Sequence, residues 1–253
     1  MSSESEIIQS LWIGPRLSNM EYLCIKSFLD HGHEFHLYTY DKVDNIPEGC
    51  IVKDGNDILP SSEIYRYKSG SVSAFSNLFR FTMLYKKGGY WVDTDLVCVK
   101  KFDFKEDYVF TSEPSEDYER QVINAGIIKC PKGSRAAFEG MLIQRKNKEK
   151  IISGEITWSS GPKTVQEVVF RNNLQKYVLP WIGICSCSWA DTKSLLYPND
   201  KYNNKVIIKI EDIPENMYGI HLWNEVWRCN NFNKDIKYDS NSLYEKLKEK
   251  HNI

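Results

Sequence analysis

Ser76-Asn77-Leu78-Phe79-Arg80, followed by Lys87-Gly88-Gly89-Tyr90-Trp91-Val92-Asp93-Thr94-Asp95, is the stretch on which the reading of this chain turns. Val72, Phe75, Leu78, Phe79 and Met83 recur at helical spacing, which predicts a helix over residues 71–87. Gly88-Gly89 ends it, and the strand-like runs 90–92 and 96–99 flank Asp93-Thr94-Asp95. In an extended segment alternate side chains share a face, so Asp93 and Asp95 are expected to point the same way. Converging carboxylates repel each other unless a cation sits between them. Hard oxygen ligands favour Mn2+ or Mg2+, which keep positions open for phosphate oxygens and stabilise a departing diphosphate as a Lewis acid. Arg80, on the preceding helix, would add positive charge there. The plain alternative is a solvated turn between two strands, since a lone D-x-D is common.

Outward from this stretch the chain alternates. Residues 7–13 read as a strand, and Ser18 with Glu21 has the spacing of a capping box. The helix so begun should run to about Asp30 and stop near Gly32, with a strand over residues 35–40 and loops or short strands over 41–60. A βαβ opening of this kind favours an α/β fold with a largely parallel sheet. Later, 127–128 reads as a buried strand, 136–150 as a helix, and Ser160-Gly161-Pro162 as a helix start. Residues 177–218 suggest short strands and loops, and Leu243 and Leu247 a C-terminal helix. With no repeat or convincing linker, a single domain over residues 1–253 is expected.

Lys plus Arg number 33 against 34 for Asp plus Glu, which argues against a dedicated nucleic-acid binder. The N-terminus is acidic and polar, and no window holds the ~18 apolar residues that a membrane span needs. The expected location is cytoplasmic, with peripheral contact at the inner face of a membrane as a variant. Seven scattered cysteines without a C-x-x-C pair read as reduced thiols. His31, His33 and His36 straddle a helix stop and a strand start without a partner cysteine, so a zinc site is discounted.

The stretch around Asp93 resembles the DXD-motif sugar transferases, glycosyltransferase family 32. That group includes fungal mannosyltransferases, α-1,4-galactosyltransferases and bacterial capsule or lipopolysaccharide transferases. The catalytic domains of the glucosylating bacterial toxins are similar in the same places. The pattern S-D-x-x-R then G-G-x-Y-x-D-x-D stands here as Ser76 to Arg80 and Gly88 to Asp95. Leu11-Trp12-Ile13-Gly14 resembles the W-I-G after the first strand, whose Trp stacks on the donor base. Asn124-Ala125 resembles the segment whose Asn reaches the donor sugar, and His221-Leu222-Trp223-Asn224 the H-x-W-N near the family's C-terminus.

The resemblance implies a GT-A fold, a Rossmann-like α/β/α sandwich with a mixed central sheet. It implies transfer with retention of configuration from a nucleotide sugar, UDP-linked first and GDP-linked second. The acceptor would be a glycan or lipid-linked glycan in surface polysaccharide synthesis. Donor binding falls to Leu11, Trp12, Gly14 and Ser76, to Asn77, Arg80, Trp91 and Trp223, and to the aspartates. Asp93, Asp95 and Asn124 are the implied catalytic residues, and Asp93, Asp95 and His221 the ligands of Mn2+ or Mg2+. Asn77 departs from the pattern, because the family has Asp there and an amide cannot form a salt bridge to Arg80. Two other readings stand beside this one: a degenerate nucleotide-sugar-binding module, and a toxin-like transferase acting on protein.

Overall fold

The computed structural model describes residues 7–157, 159–198, 206–207 and 209–253. The acidic first six residues, and 199–205 and 208 within the stretch read as short strands and loops, lie outside the described residues. Seven strands form the main sheet: β1 (Ile8–Leu11), β2 (Phe35–Thr39), β3 (Ile51–Asp54), β4 (Gly89–Val92), β6 (Val109–Pro114), β7 (Gln121–Cys130) and β8 (Val178–Leu179). Their order is β3-β2-β1-β4-β7-β6-β8. The β3-β2-β1-β4 half is parallel, and β7 runs antiparallel to both β4 and β6. A separate antiparallel pair joins β5 (Leu96–Cys98) to β9 (Gly219–His221).

Alternation along the strands feeds two apolar cores, one on each sheet face. Ile8, Tyr90, Val92 and Ile127 join the first core, with α1 (Asn19–Asp30) and α6 (Leu243–Lys250). Leu11, Trp91 and Ile128 join the second, with α2 (Ser73–Lys87), α3 (Arg135–Ser153) and α4 (Ser160–Arg171). The result is the α/β/α sandwich with a mixed sheet that the family resemblance implied.

The local signals were legible. The capping box at Ser18 forms as expected, with the Ser18 backbone N–H donating to Glu21 Oε2 at 2.9 Å. α2 stops where Gly88 takes φ 73°, and a Cβ there would lie 2.6 Å from the Lys132 backbone nitrogen, so only glycine serves. The short helix α5 (Asn224–Cys229) escaped the sequence reading, because six residues carry too little periodicity.

Candidate functional site

β1 and β4 are adjacent parallel strands, with β2 beyond one and β7 beyond the other. The chain leaves β1 toward β2 on one side while β4 flanks it on the other. Such a reversal opens a crevice beyond the carboxyl ends of the strands. The segments that leave these two strands face that crevice: Trp12-Ile13-Gly14 after β1, and Asp93-Thr94-Asp95 after β4.

The expectation that Asp93 and Asp95 share a strand face is corrected. They sit on a turn between β4 and β5, closed by Leu96 N–H donating to the Asp93 carbonyl at 3.2 Å. It is not the solvated turn of the plain alternative, since Asp95 is only 9% exposed. Asp93 N–H donates to the Gly126 carbonyl at 2.9 Å, and Leu222 N–H to the Asp95 carbonyl at 2.8 Å. β7 and the segment after β9 thus hold the turn from both sides. Convergence comes from this tertiary clamp rather than from strand alternation.

The clamp brings His221 to both aspartates, and one ligand atom from each of the three lies within 4.8 Å of the others. His221 Nε2 stands 3.3 Å from Asp95 Oδ2, which also accepts the Asn224 backbone N–H at 2.8 Å. Burial opposes ionisation of Asp95, but His221 and the Asn224 N–H outweigh it and hold the carboxyl below its usual range. Burial also lifts Asp93, which Arg80 only partly offsets while the charge of Asp95 adds to the rise. Burial alone would lower the His221 imidazole, yet Asp95, Asp93 and Glu113 together raise it.

Two carboxylates and an imidazole are an acceptable donor set for Mn2+ or Mg2+. Ligands about 2.1 Å from such an ion stand no more than about 4.2 Å apart. The present spread therefore needs only a small inward shift of the side chains, and the residues fit the ion.

Arg80 is 5% exposed and donates from Nη2 to Asp93 Oδ1 at 2.7 Å, while its Nε and Nη1 are buried without a partner. Its guanidinium lies 4.9 Å above the ring of Trp91, whose Nε1 also donates to Asp93 Oδ1, at 2.8 Å. Trp91 therefore holds both Arg80 and Asp93 from below. Trp223 packs its ring 4.1 Å from the His221 ring, and its own Nε1 is buried and unpartnered. Trp12 likewise carries a buried, unpartnered indole nitrogen, and a Cβ at Gly14 would meet it at 3.2 Å.

Other residues singled out from the sequence sit differently. The Leu11 side chain belongs to the second core, leaving only its backbone at the strand end. Ser76 is half-buried and bonds back to Val72 of its own helix. Asn77 turns toward the start of α4, donating to Tyr67 Oη at 3.2 Å and Ser160 Oγ at 3.3 Å. Asn124 is buried, its Oδ1 accepting from Thr111 Oγ1 at 2.5 Å and from Gly126 N–H at 3.2 Å. The discounted histidines are occupied elsewhere, His36 with Glu34, His31 with the Ser27 carbonyl, and His33 with the Phe102 N–H. Sequence reasoning missed Tyr67 and Glu113. Each stands alone among ordinary neighbours, and no spacing marks it.

Residues 22–115 match the family model described as a glycosyltransferase sugar-binding region containing a DXD motif. The matched segment holds Arg80, Asp93 and Asp95; Trp12, Asn124 and His221 lie outside it. The fold is similar to a solved structure titled PaToxG glycosyltransferase, at 14% identity and a TM-score of 0.50. That likeness covers 66% of this chain and 69% of the other. No curated relative matches the sequence. Recognition of a DXD sugar-transferase region and of its α/β fold is borne out.

Proposed function

From the premise that residues 22–115 carry a DXD glycosyltransferase sugar-binding region, we propose that the protein transfers a sugar from a nucleotide-sugar donor. The observation that carries this reading is Arg80. Leaving buried guanidinium donors unpaired is costly, and a diphosphate oxygen is the group that satisfies them. Asp93, Asp95 and His221 would hold Mn2+ or Mg2+, which when bound supplies positive charge to the leaving diphosphate. Trp12, at the end of the neighbouring strand, offers an aromatic face to the nucleotide base, and Gly14 leaves room beside it. Asn124, held on its acceptor side, presents its amide nitrogen toward the sugar. UDP as the nucleotide, retention of configuration, and a glycan or lipid-linked acceptor follow from the family resemblance; a single catalytic domain follows from the lack of a repeat or convincing linker in the sequence.

Asn77 favours a second reading, a module that binds a nucleotide sugar without turning it over. Its amide is spent on Tyr67 and Ser160. Incubation of the purified protein with Mn2+ and a set of UDP- and GDP-hexoses separates the two. Slow release of free sugar that stops on chelation with EDTA is the expected outcome. Binding without release supports the module, and neither binding nor release rejects both.

A further inference from the structure

The crevice is built in strand order. Asp93 follows β4, Asn124 lies on the next strand, β7, and Glu113 on the strand after that, β6. Neighbouring strands stand about 4.8 Å apart, which puts β6 about 10 Å from β4. A ring attached to a diphosphate at Asp93 and Asp95 would extend across this interval.

An irregularity in the β6–β7 ladder aims the side chains there. Phe110 pairs with Ile128 but Ser112 pairs with Ile123, so Thr111 alone faces residues 124–127. Bulges of this sort re-aim side chains beside functional sites. Thr111 Oγ1 and the Gly126 N–H occupy Asn124 Oδ1, which leaves Nδ2 as the free end of the amide. Burial raises the pKa of the Glu113 carboxyl, and His221 and the Asn124 amide both oppose the rise. Glu113 pairs with Val122, and Asn124 lies two residues further along β7, so the amide and the carboxylate are diagonal neighbours on one sheet face, with no hydrogen bond of ordinary geometry closed between them. Glu113 is half-buried and has no Lys or Arg partner among the described residues, so it is not held by a structural ion pair. Its carboxylate instead acts electrostatically on His221.

An amide N–H donor beside a carboxylate acceptor matches a polyol, each of whose hydroxyls both donates and accepts. We propose that Glu113 is a substrate-binding residue whose carboxylate accepts hydrogen bonds from hydroxyls of the sugar being transferred, alongside Asn124. The proposal rests on the nucleotide-sugar reading above and adds to it a carboxylate that contacts the sugar rather than the nucleotide.

The test compares nucleotides with and without a sugar. Calorimetric titration of UDP, UDP-glucose, UDP-galactose, GDP and GDP-mannose, each with Mn2+, is run on wild type, Glu113→Gln and Glu113→Ala. In Glu113→Ala the affinity for the preferred nucleotide sugar should fall at least about tenfold, with a smaller loss in Glu113→Gln, which keeps an acceptor oxygen and the side-chain volume. Affinity for the matching free diphosphate and the thermal midpoint of the unliganded protein should stay unchanged. Equal weakening of free diphosphate and nucleotide sugar with a lowered midpoint in both variants would make Glu113 structural and overturn the proposal. Unchanged sugar affinity would overturn it as well. If wild type binds no nucleotide in the set, the nucleotide-sugar reading itself fails, an outcome separate from either of these.

Discussion

Trp223 takes a left-handed backbone conformation, φ 60° and ψ 50°, which costs a non-glycine residue on the order of 1–3 kcal/mol. The turn points the Asn224 N–H at Asp95 Oδ2 and lays the Trp223 ring against His221. Strain at one residue thus orients two neighbours toward the aspartates. Because His221 completes the cluster from a distant part of the chain, His221→Ala should leave the aspartates in place and weaken only their hold on metal. The Mn2+ concentration for half-maximal donor hydrolysis should rise at least about tenfold, equivalent to about 1.4 kcal/mol of binding. An unchanged metal requirement in a titration of the variant would remove His221 from the site. The acidic residue nearby in sequence, Glu225, pairs with Arg228 at 2.5 Å and is not among the grouped ligand atoms of Asp93, Asp95 and His221.

Among the elements, α2 has the heaviest duty. One of its faces fills the second core with Phe75, Leu78 and Phe79, while Arg80 reaches Asp93 beyond the end of β4. Its position depends on close approach to α3. A Cβ at Gly140 would stand 2.3 Å from Phe81 Cδ1, and Phe81 is 1% exposed with no room to retreat. Gly140→Ala should therefore cost about 1–3 kcal/mol of stability through overpacking, despite alanine's better helix propensity. Urea unfolding measures this, and a variant as stable as wild type would show that the two helices separate freely. The helix itself was legible from apolar spacing and its Gly-Gly stop. The contact through Gly140 was not, because nothing in either helix's periodicity says which turn of one meets which turn of the other.

Over the whole molecule, stability should respond to pH through His33. Its Nε2 accepts the Phe102 backbone N–H at 3.0 Å, which only the neutral ring can do, and this ties the end of α1 to the chain beyond β5. Burial, with Lys101 and His31 adding to it, lowers its pKa to about 4. The unfolded value is about 6.5, so between these limits the unfolded chain binds a proton that the folded protein refuses. The contribution is complete above about pH 6.5 and is lost as the pH falls toward 4. In His33→Gln an amide oxygen can accept the same N–H without titrating. The fall in thermal midpoint from pH 7 to pH 4.5 should then be shallower than in wild type, and identical slopes would exclude His33 as a source.

The features that the sequence determined by itself were local and periodic. Strand and helix patterning in the first half, the Ser18–Glu21 cap and the Gly88 stop depend on neighbours within a few residues, which is why they could be read. The Asp93-Thr94-Asp95 motif was also visible, and with it the class of chemistry. The tertiary structure decided how those aspartates meet, because a turn held by Gly126 and Leu222 replaces the expected strand face. It also decided that Asn77 faces Tyr67 and Ser160, and that Glu113, paired with Val122 next to a break in strand register, shares a sheet face with Asn124. Each of these depends on residues far apart in the chain and on a register that shifts within one ladder. Pairing across such separations is set by packing of the whole sheet, and a single sequence carries no periodic trace of it.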